Sequence, residues 1–206
     1  METDLRQASW EKVTKLRLPK NEKLPSLGEV KVERTEDEIL GRLLCLLPLA
    51  ATTYGFPRAQ AIEWITQEEL KGFLVGDELH YLETGDGDTD IYKHQIEAMW
   101  ALAWALKVTP NLDFKKNCPN NFVAMLPDLK KMESSKAFRS KISLRKDEEI
   151  ISHCDFVYCL HWAIRQTELE GKEIPFKILP FVVPERRKAL DWIISKDDWY
   201  EVSLDT

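Results

Sequence analysis

A run of alternating aspartates is the feature of this sequence that most closely matches a metal-binding loop. Asp86, Asp88 and Asp90 alternate along the chain. Glu97 stands at the twelfth position of a loop that begins at Asp86, as does the last ligand of an EF-hand. The sixth position, which needs glycine for a sharp turn, is Ile91. We therefore predict no metal here and favour an acidic loop that leads into a helix, with a metal-binding regulator acting through the 86–97 loop as an alternative.

A second group of polar residues lies further along the chain. Glu149 and His153 are four positions apart, so on a helix they share one face, as two metal ligands would. His161 follows eight positions after His153, about 80° further round the helix. One helix therefore does not present a three-ligand site. We expect Asp155 and His161 to be held by hydrogen bonds inside an aromatic-rich interface.

Three charged residues in succession open the last predicted helix. The glutamate, Glu185, is favoured by the helix dipole in the first turn. Arg186 and Arg187 have the planar donor groups that bind a carboxylate or a phosphate in a bidentate manner. An ion pair with Glu97 or Asp155 on another helix is the use that we favour.

The segment 128–146 is strongly basic. Its cations are Lys130, Lys131, Lys136, Arg139, Lys141, Arg145 and Lys146. Only two acids, Asp128 and Glu133, oppose them. The segment would attract an anionic partner, but a solvated and mobile loop is the interpretation that we favour. Because the whole chain has a net charge of -6, we predict no nucleic-acid partner bound through its phosphates.

The sequence identifies no catalytic residue, because the common signatures of hydrolases, nucleotide-binding enzymes and zinc proteases are missing. The candidate polar cluster consists of Glu97, Arg145, Asp155, His161, Glu185 and Arg186. In an alternative, uncharacterised hydrolase or transferase, Asp155 or Glu97 would act as the base. His161 would be the acid or a ligand, and Arg186 would hold an anion. These side chains would have to converge in one cleft. No cofactor is predicted.

Helices are the elements predicted to position these residues. Thr35 and Glu38 form a capping box before the first long helix. Thr66 and Glu69 form a second one, which predicts a short helix to about residue 74. Apolar periodicity predicts the longer helices 36–54, 90–107, 145–171 and 184–194. The helix 90–107 is apolar on nearly every side, which is typical of a central helix. The prediction is a mainly α fold, an irregular helical bundle with long connections and little or no β structure.

The chain is predicted to form one domain preceded by an arm. Residues 1–34 are charged and interrupted by Pro19, Pro25 and Gly28, so we expect a loosely attached N-terminal arm. Residues 35–206 form the single helical domain. No apolar region typical of a secretion signal is found near the N-terminus. The longest apolar runs reach half of the ~20 residues that span a bilayer, so no membrane span is predicted.

The four cysteines indicate the compartment. Cys45, Cys118, Cys154 and Cys159 form no C-x-x-C pair, and two of them lie in apolar helical patterns. Buried, reduced thiols of this kind are typical of a cytoplasmic protein. The sequence leaves the oligomeric state open.

Four segments, taken in order, resemble a known family. They are 97–106, 144–145 together with 155–163, 185–192 and the closing 199–206. In this order, and ending in Asp-Thr, they resemble the domain of unknown function 4272 family of mainly bacterial proteins, from about Glu38 onwards. Tyr200 departs from the family pattern, in which an acid follows the tryptophan. The resemblance implies no activity, cofactor or catalytic residue. The polar positions that coincide with the motifs are Glu97, Asp155, His161, Glu185, Arg186 and Asp205.

The functional expectation is a cytoplasmic binding or interaction protein without catalytic activity. A toxin-neutralising protein is one example, and the partner would be another protein bound through the acidic surface. No catalytic constellation among the residues outweighs its structural interpretation.

Overall fold

The computed structural model describes the backbone of residues 2–206 and the side chains of residues 4–206. This part of the chain contains α-helices and short 3-10 segments but no β-strand. The helices are α1 (Glu2–Lys15), α2 (Glu36–Thr53), α3 (Arg58–Gln67), α4 (Glu78–Thr84), α5 (Thr89–His94), α6 (Ile96–Ala105), α7 (Lys136–Arg139), α8 (Asp147–Leu169) and α9 (Val182–Ile193). No described helix combines the length and the apolar character needed to cross a bilayer. The predicted mainly α fold is confirmed.

The start of α2 follows the predicted capping box. The Thr35 hydroxyl accepts a hydrogen bond from the backbone N–H of Glu38, and the Glu38 carboxylate accepts one from the N–H of Thr35. This second hydrogen bond helps to lower the pKa of Glu38. Two of the backbone donors that a helix start leaves free are satisfied in this way. Most of α2 is buried from Ile39 to Ala50, including Pro48.

The second predicted capping box is wrong. Thr66 lies inside α3, and its hydroxyl donates to the carbonyl of Ile62, 2.7 Å away. A hydroxyl bonded back to the preceding turn cannot cap a new helix. The chain instead leaves α3 through Glu69, which has a positive φ of 58°. Only the 3-10 segment Lys71–Phe73 follows.

The helix predicted over 90–107 is divided at Gln95 into α5 and α6. The side-chain oxygen of Gln95 accepts from the indole N–H of Trp199 at 3.1 Å. Its amide nitrogen donates to the Tyr200 hydroxyl at 3.2 Å. At the other end, the Asp88 carboxylate caps α5 by accepting from the N–H of Asp90. The acidic loop therefore begins a helix, as the sequence suggested.

Helix α6 occupies the centre of the bundle. All its residues from Glu97 to Ala105 are buried. It lies against α9 on one side and α2 on another, and α8 packs against α9. The predicted central position of this tryptophan-rich segment is confirmed.

The N-terminal segment is packed on the bundle, which corrects the expectation of a loosely attached arm over 1–34. Helix α1 lies along α8. Trp10 and Val13 are buried, and the Trp10 ring meets Trp162 edge-on at 5.9 Å between centroids. Leu18 and Leu24 are buried further along. These few large apolar residues are enough to pack the N-terminal segment against the bundle. In the sequence they stand among charged residues, so no apolar pattern indicated the contact.

The basic segment 128–146 also has packed points. It contains the 3-10 segment Leu129–Lys131 and helix α7. Ser135 is fully buried, and its N–H donates to the Glu68 carboxylate at 3.0 Å. The indole N–H of Trp64 donates to the carbonyl of Glu133. Helix α3 therefore fixes the middle of this segment.

Candidate functional site

Glu97 and Arg186 form a buried ion pair between α6 and α9. The Nε and Nη2 atoms of Arg186 donate to Oε2 of Glu97 at 2.9 and 2.7 Å. The two residues are 1% and 0% exposed. The ion pair that the sequence suggested is confirmed. Because both charges have left water, each depends on the other and on further hydrogen bonds.

Those further hydrogen bonds come from the irregular segment after α6. Arg186 donates through Nη1 to the carbonyl of Asp113 and through Nη2 to that of Lys116, at 2.6 and 2.8 Å. The backbone N–H of Cys118 donates to Oε1 of Glu97 at 2.8 Å. The ion pair therefore holds segment 113–118 against the bundle.

Because of the same contacts, the Glu97 carboxylate is not available as a ligand to the acidic loop. Its carboxylate binds Arg186, while Asp88 caps α5. Within the described residues, no group of three or more His, Cys, Asp or Glu side chains is arranged to hold a metal ion. The arrangement of the 86–97 segment is that of a capped helix start.

Asp155 attaches α1 to α8. Both Nε and Nη2 of Arg6 approach its Oδ1, at 2.9 and 2.7 Å. Arg6 also donates through Nη1 to the carbonyls of Leu24 and Pro25. Asp155 is 2% exposed, and its Oδ2 atom is buried without a hydrogen bond among the described residues. Its carboxylate is occupied by the N-terminal segment.

His161 is bound by the neighbouring Arg187 rather than by a carboxylate. Nη1 of Arg187 lies 2.8 Å from Nδ1 of His161. A guanidinium only donates, so Nδ1 must accept and the ring proton is on Nε2. Burial and then the charge of Arg187 lower the pKa of His161 to about 4. The imidazole is therefore neutral near pH 7.

Arg187 also binds its own helix and the C-terminal segment. It donates to Oδ2 of Asp191 at 2.9 Å and to the carbonyls of Leu204 and Asp205. The other oxygen of Asp191 is buried without a described hydrogen-bond partner. Burial raises the pKa of Asp191 to about 6, although Arg187 acts in the opposite direction. Asp205 contributes its carbonyl to this contact.

Arg145 binds the segment that follows α6. It donates to the carbonyls of Trp104, Thr109 and Pro110, at 2.7, 2.9 and 3.3 Å. Its guanidinium lies 4.7 Å from the centroid of the Trp104 ring. The Glu149 carboxylate is 3.5 Å from Nη1 of Arg145. Arg145 thus fixes the chain just before α8 to the end of α6 and to the residues that follow it.

The six residues of the predicted polar cluster do not meet at one site. Glu97 binds Arg186 directly. Asp155 binds α1, His161 binds Arg187, and Arg145 binds backbone carbonyls. Burial raises the pKa of Glu185, and one of its oxygens is buried without a described partner. Most of these groups hold irregular chain segments in place.

Sequence reasoning missed a second buried ion pair, between Arg42 of α2 and Glu78 of α4. The two residues are 2% and 0% exposed and hydrogen bonded through both Arg42 Nη atoms. The Tyr200 hydroxyl donates to Oε1 of Glu78 at 2.7 Å. Arg42 interrupts the leucine-rich stripe of α2, which signals a buried charge. Its partner lies 36 residues away, so spacing alone could not identify it.

A wide groove opens between α2, α3 and the segment 122–133. Its volume is about 940 Å³. Ile96 and Met99 form part of its inner wall, and Tyr54 and Val123 stand at its edge. Tyr54 is 68% exposed and Val123 48%, and the neighbouring Met125 is 43% exposed. Tyr54 and Val123 are therefore large apolar side chains exposed at one concave surface, and Met125 lies outside its lining.

Lysines border the groove on one side. Lys130 and Lys131 belong to its lining. Lys131 is paired with Asp128 at 3.0 Å, whereas the ammonium group of Lys130 has no ion pair among the described residues. Lys136, Lys141 and Lys146 continue the same basic segment and are exposed. Asp128 and Glu133 also line the groove, so the excess of positive charge lies in the basic segment beyond the lining and not in the lining itself.

One family model matches the chain. It is described as a domain of unknown function (DUF4272), and it matches residues 5–202. No curated protein and no solved structure matches the chain. The matched range starts inside α1, well before the position near Glu38 that the sequence motifs indicated. Helix α1 and its contact with α8 therefore belong to the matched region.

Proposed function

We propose that this chain, which belongs to the family described as a domain of unknown function (DUF4272), is a binding protein for another protein. A segment of the partner would lie in the groove between α2, α3 and the segment 122–133. That segment would carry apolar side chains next to carboxylates. The exposure of Tyr54 and Val123 at one concave surface is the observation that carries the proposal.

The apolar character of the groove supports a protein partner. Contiguous exposed apolar surface is uncommon on a monomer and marks interaction sites. Tyrosine and methionine are enriched at protein interfaces. A volume of about 940 Å³ lies at the upper end of the range for small-molecule sites, so it fits several side chains of a peptide segment.

The lysines support the choice of an acidic segment. Lys130 at the edge and Lys136, Lys141 and Lys146 beyond it are exposed. Carboxylates beside the apolar side chains of the partner would complement these charges. The remaining surface, with a net charge of -6 for the whole chain, would repel the same segment. The excess positive charge of the whole segment 128–146 would thus attract an acidic segment.

The arrangement of the polar residues favours binding over the other two hypotheses. A hydrolase or transferase acting through Glu97, Asp155, His161 and Arg186 would need these groups to face a common substrate. Glu97 and Arg186 are buried against each other, and Asp155 is bound by Arg6. A metal-binding regulator would need the Glu97 carboxylate, which binds Arg186. Neither alternative gains support from these contacts.

We place this binding function in the cytoplasm of a bacterium, without a nucleic-acid or membrane partner. The resemblance to mainly bacterial proteins supports the source. Cys45, Cys154 and Cys159 support a reducing compartment, because they are buried free thiols.

Selection from a random peptide library tests the groove. We expect the enriched peptides to combine apolar residues with Asp or Glu, and their binding to weaken at high salt because the lysine contacts are screened. Val123→Asp places a negative charge on the apolar edge and should weaken binding about tenfold or more. The matched control is Leu79→Asp on α4, outside the groove, where Leu79 is 38% exposed. It should leave binding unchanged.

Two results would contradict the proposal. One is the enrichment of peptides without acidic residues. The other is equal binding of the selected peptides to the Val123→Asp and Leu79→Asp variants, which would place the contact elsewhere on the surface.

A further inference from the structure

A second, smaller cavity lies on another side of the molecule. It is enclosed by α8, the segment 174–180 and the start of α9, and its volume is about 240 Å³. Most of its wall is apolar, including Ile164, Ile178 and Val183. His161 also lines it, together with Arg165 and Glu168. The cavity therefore combines an apolar interior with one imidazole and a charged border.

The hydrogen-bonding state of the imidazole is fixed by its neighbour. Nδ1 of His161 accepts from Arg187, so Nε2 carries the proton. Nε2 is on the opposite side of the ring from the Nδ1 contact, and it makes no hydrogen bond with a described residue. His161 is 7% exposed. The ring therefore offers one N–H donor at the cavity.

The charges near His161 favour an anion as the acceptor. Arg187 and Arg165 both act on the imidazole, and both lower its pKa. Among the described residues, Arg187 donates to His161, to Asp191 and to backbone carbonyls, and Asp191 is the one carboxylate among these partners. Arg165 is paired with Glu168 at 3.2 Å, and its side chain is 57% exposed. A ligand carboxylate can replace that exposed partner at little cost.

We propose that this cavity binds a small apolar carboxylate. The carboxylate accepts the Nε2–H hydrogen bond of His161 and pairs with Arg165. The apolar part of the ligand lies against Ile164, Ile178 and Val183. An apolar cavity of about 150 Å³ holds benzene, so a cavity of about 240 Å³ fits a ligand of ten or so non-hydrogen atoms.

This site is independent of the groove proposed for the partner protein. The two cavities share no lining residue. A carboxylate ligand would add a small-molecule response to a binding protein, but its binding does not require the groove to function. Failure of the peptide selection would therefore leave this site unaffected, and the reverse also holds.

A titration of the full chain with phenylacetate tests the site, with phenylacetamide as the uncharged probe of the same shape. Histidines labelled with ¹⁵N report on the Nε2 atom of His161. We expect phenylacetate to bind with a Kd on the order of 1 mM and to shift this resonance. Phenylacetamide should bind at least about tenfold more weakly, because it lacks the charge that Arg165 and Arg187 favour.

Three variants locate the binding. His161→Phe keeps a ring and removes the donor, so phenylacetate should bind about tenfold more weakly. Ile178→Trp fills the cavity and should abolish binding of both probes. Arg165→Gln changes only the exposed border and should weaken phenylacetate alone. The last two do not touch the Arg187 contacts, so they test the site even if His161→Phe fails to fold.

The unliganded spectrum supplies a separate check. Nδ1 should show the chemical shift of an unprotonated nitrogen at pH 7, and Nε2 that of a protonated one. Equal binding of the acid and the amide would overturn the proposal, as would binding that persists in Ile178→Trp. No shift at about 20 mM phenylacetate, well above the expected Kd, would also overturn it.

Discussion

The two sides of α6 use side chains in opposite ways. On one side, Glu97 is buried against Arg186, and the pair holds the segment 113–118. On the other side, Ile96 and Met99 line a groove whose apolar edge is open to solvent. An ion pair is buried on the first side, and apolar side chains are exposed near the second. In this chain the charged residues with unusual positions hold the fold together, and the exposed apolar residues are those left free to bind.

The long connections explain the buried charges. Irregular segments leave carbonyl groups without helical partners, and these must be satisfied when they are buried. An arginine can serve several carbonyls at once through its planar donors. The side chains that do so here are Arg6, Arg34, Arg145, Arg186 and Arg187. Each joins a helix or its end to a segment outside regular structure.

The largest expected effect is the loss of Arg186. Arg186→Leu leaves the buried Glu97 carboxylate unpaired and removes the donors to the carbonyls of Asp113 and Lys116. The free energy of unfolding should fall by about 3–5 kcal/mol, as found when one partner of a buried pair is removed. Urea denaturation followed by tryptophan fluorescence measures it.

A double variant separates the cost of leaving Glu97 unpaired from the cost of losing the other contacts of Arg186. Glu97→Leu combined with Arg186→Leu removes both charges, so it should be more stable than Arg186→Leu alone. The exposed Arg165→Leu serves as a control and should change stability by less than about 0.5 kcal/mol. A loss of less than about 1 kcal/mol in Arg186→Leu would contradict the structural role of the pair.

The pH dependence around Arg187 should be of intermediate size. The folded-state pKa of His161 is lowered to about 4, so the unfolded chain takes up its proton first as the pH falls. His161 therefore reduces stability between pH 6.5 and 4. The folded-state pKa of Asp191 is raised to about 6, so the folded chain takes up this proton first. Asp191 therefore increases stability as the pH falls from about 6 towards 4. Each slope is at most about 1.4 kcal/mol per pH unit.

Single variants reveal these opposing effects. Relative to the unmodified chain, Asp191→Asn should lose stability as the pH falls from 6 to 4. His161→Gln should gain relative stability over the same range. Subtracting the unmodified curve removes the contribution of the other carboxyl groups. Parallel stability curves for all three chains would show that folding shifts the pKa of neither group and would contradict this prediction.

The smallest effect on stability is expected at the groove. Tyr54→Ser and Val123→Ser alter exposed side chains that line the groove and should together change the free energy of unfolding by less than about 0.5 kcal/mol. They should nevertheless reduce the fluorescence of a dye that binds apolar surface. A large loss of stability would mean that these side chains serve the fold, and the contrast between the two sides of α6 would disappear.

The sequence indicates the parts of the fold that depend on neighbouring residues. The Thr35 capping box predicted the start of α2, and the all-round apolar pattern predicted the central position of α6. Local spacing did not reveal the break at Gln95, because its cause lies at Trp199 and Tyr200. The capping box assigned to Thr66 failed for a local reason, because its hydroxyl donates to the carbonyl of Ile62 in the preceding turn of α3.

A contact of the candidate site was predictable only where both of its charged residues stood in recognisable sequence motifs. The contact of Arg186 with Glu97 joined two motif positions and was anticipated. The contacts of Asp155 with Arg6 and of Arg42 with Glu78 join positions that no pattern connects. The groove is harder still, because Tyr54 and Val123 come together only after α2 and the segment 122–133 have packed.

The bonds at Gln95 also set an order for folding during synthesis. The junction of α5 and α6 is satisfied by Trp199 and Tyr200, 104 and 105 residues later in the chain. At a ribosomal rate of about 5–20 residues per second, the junction waits at least about 5–20 seconds for these partners. During that interval the most apolar helix of the protein lacks its last contacts. Apolar surface that stays exposed during synthesis in this way is prone to aggregation until the C-terminal segment arrives.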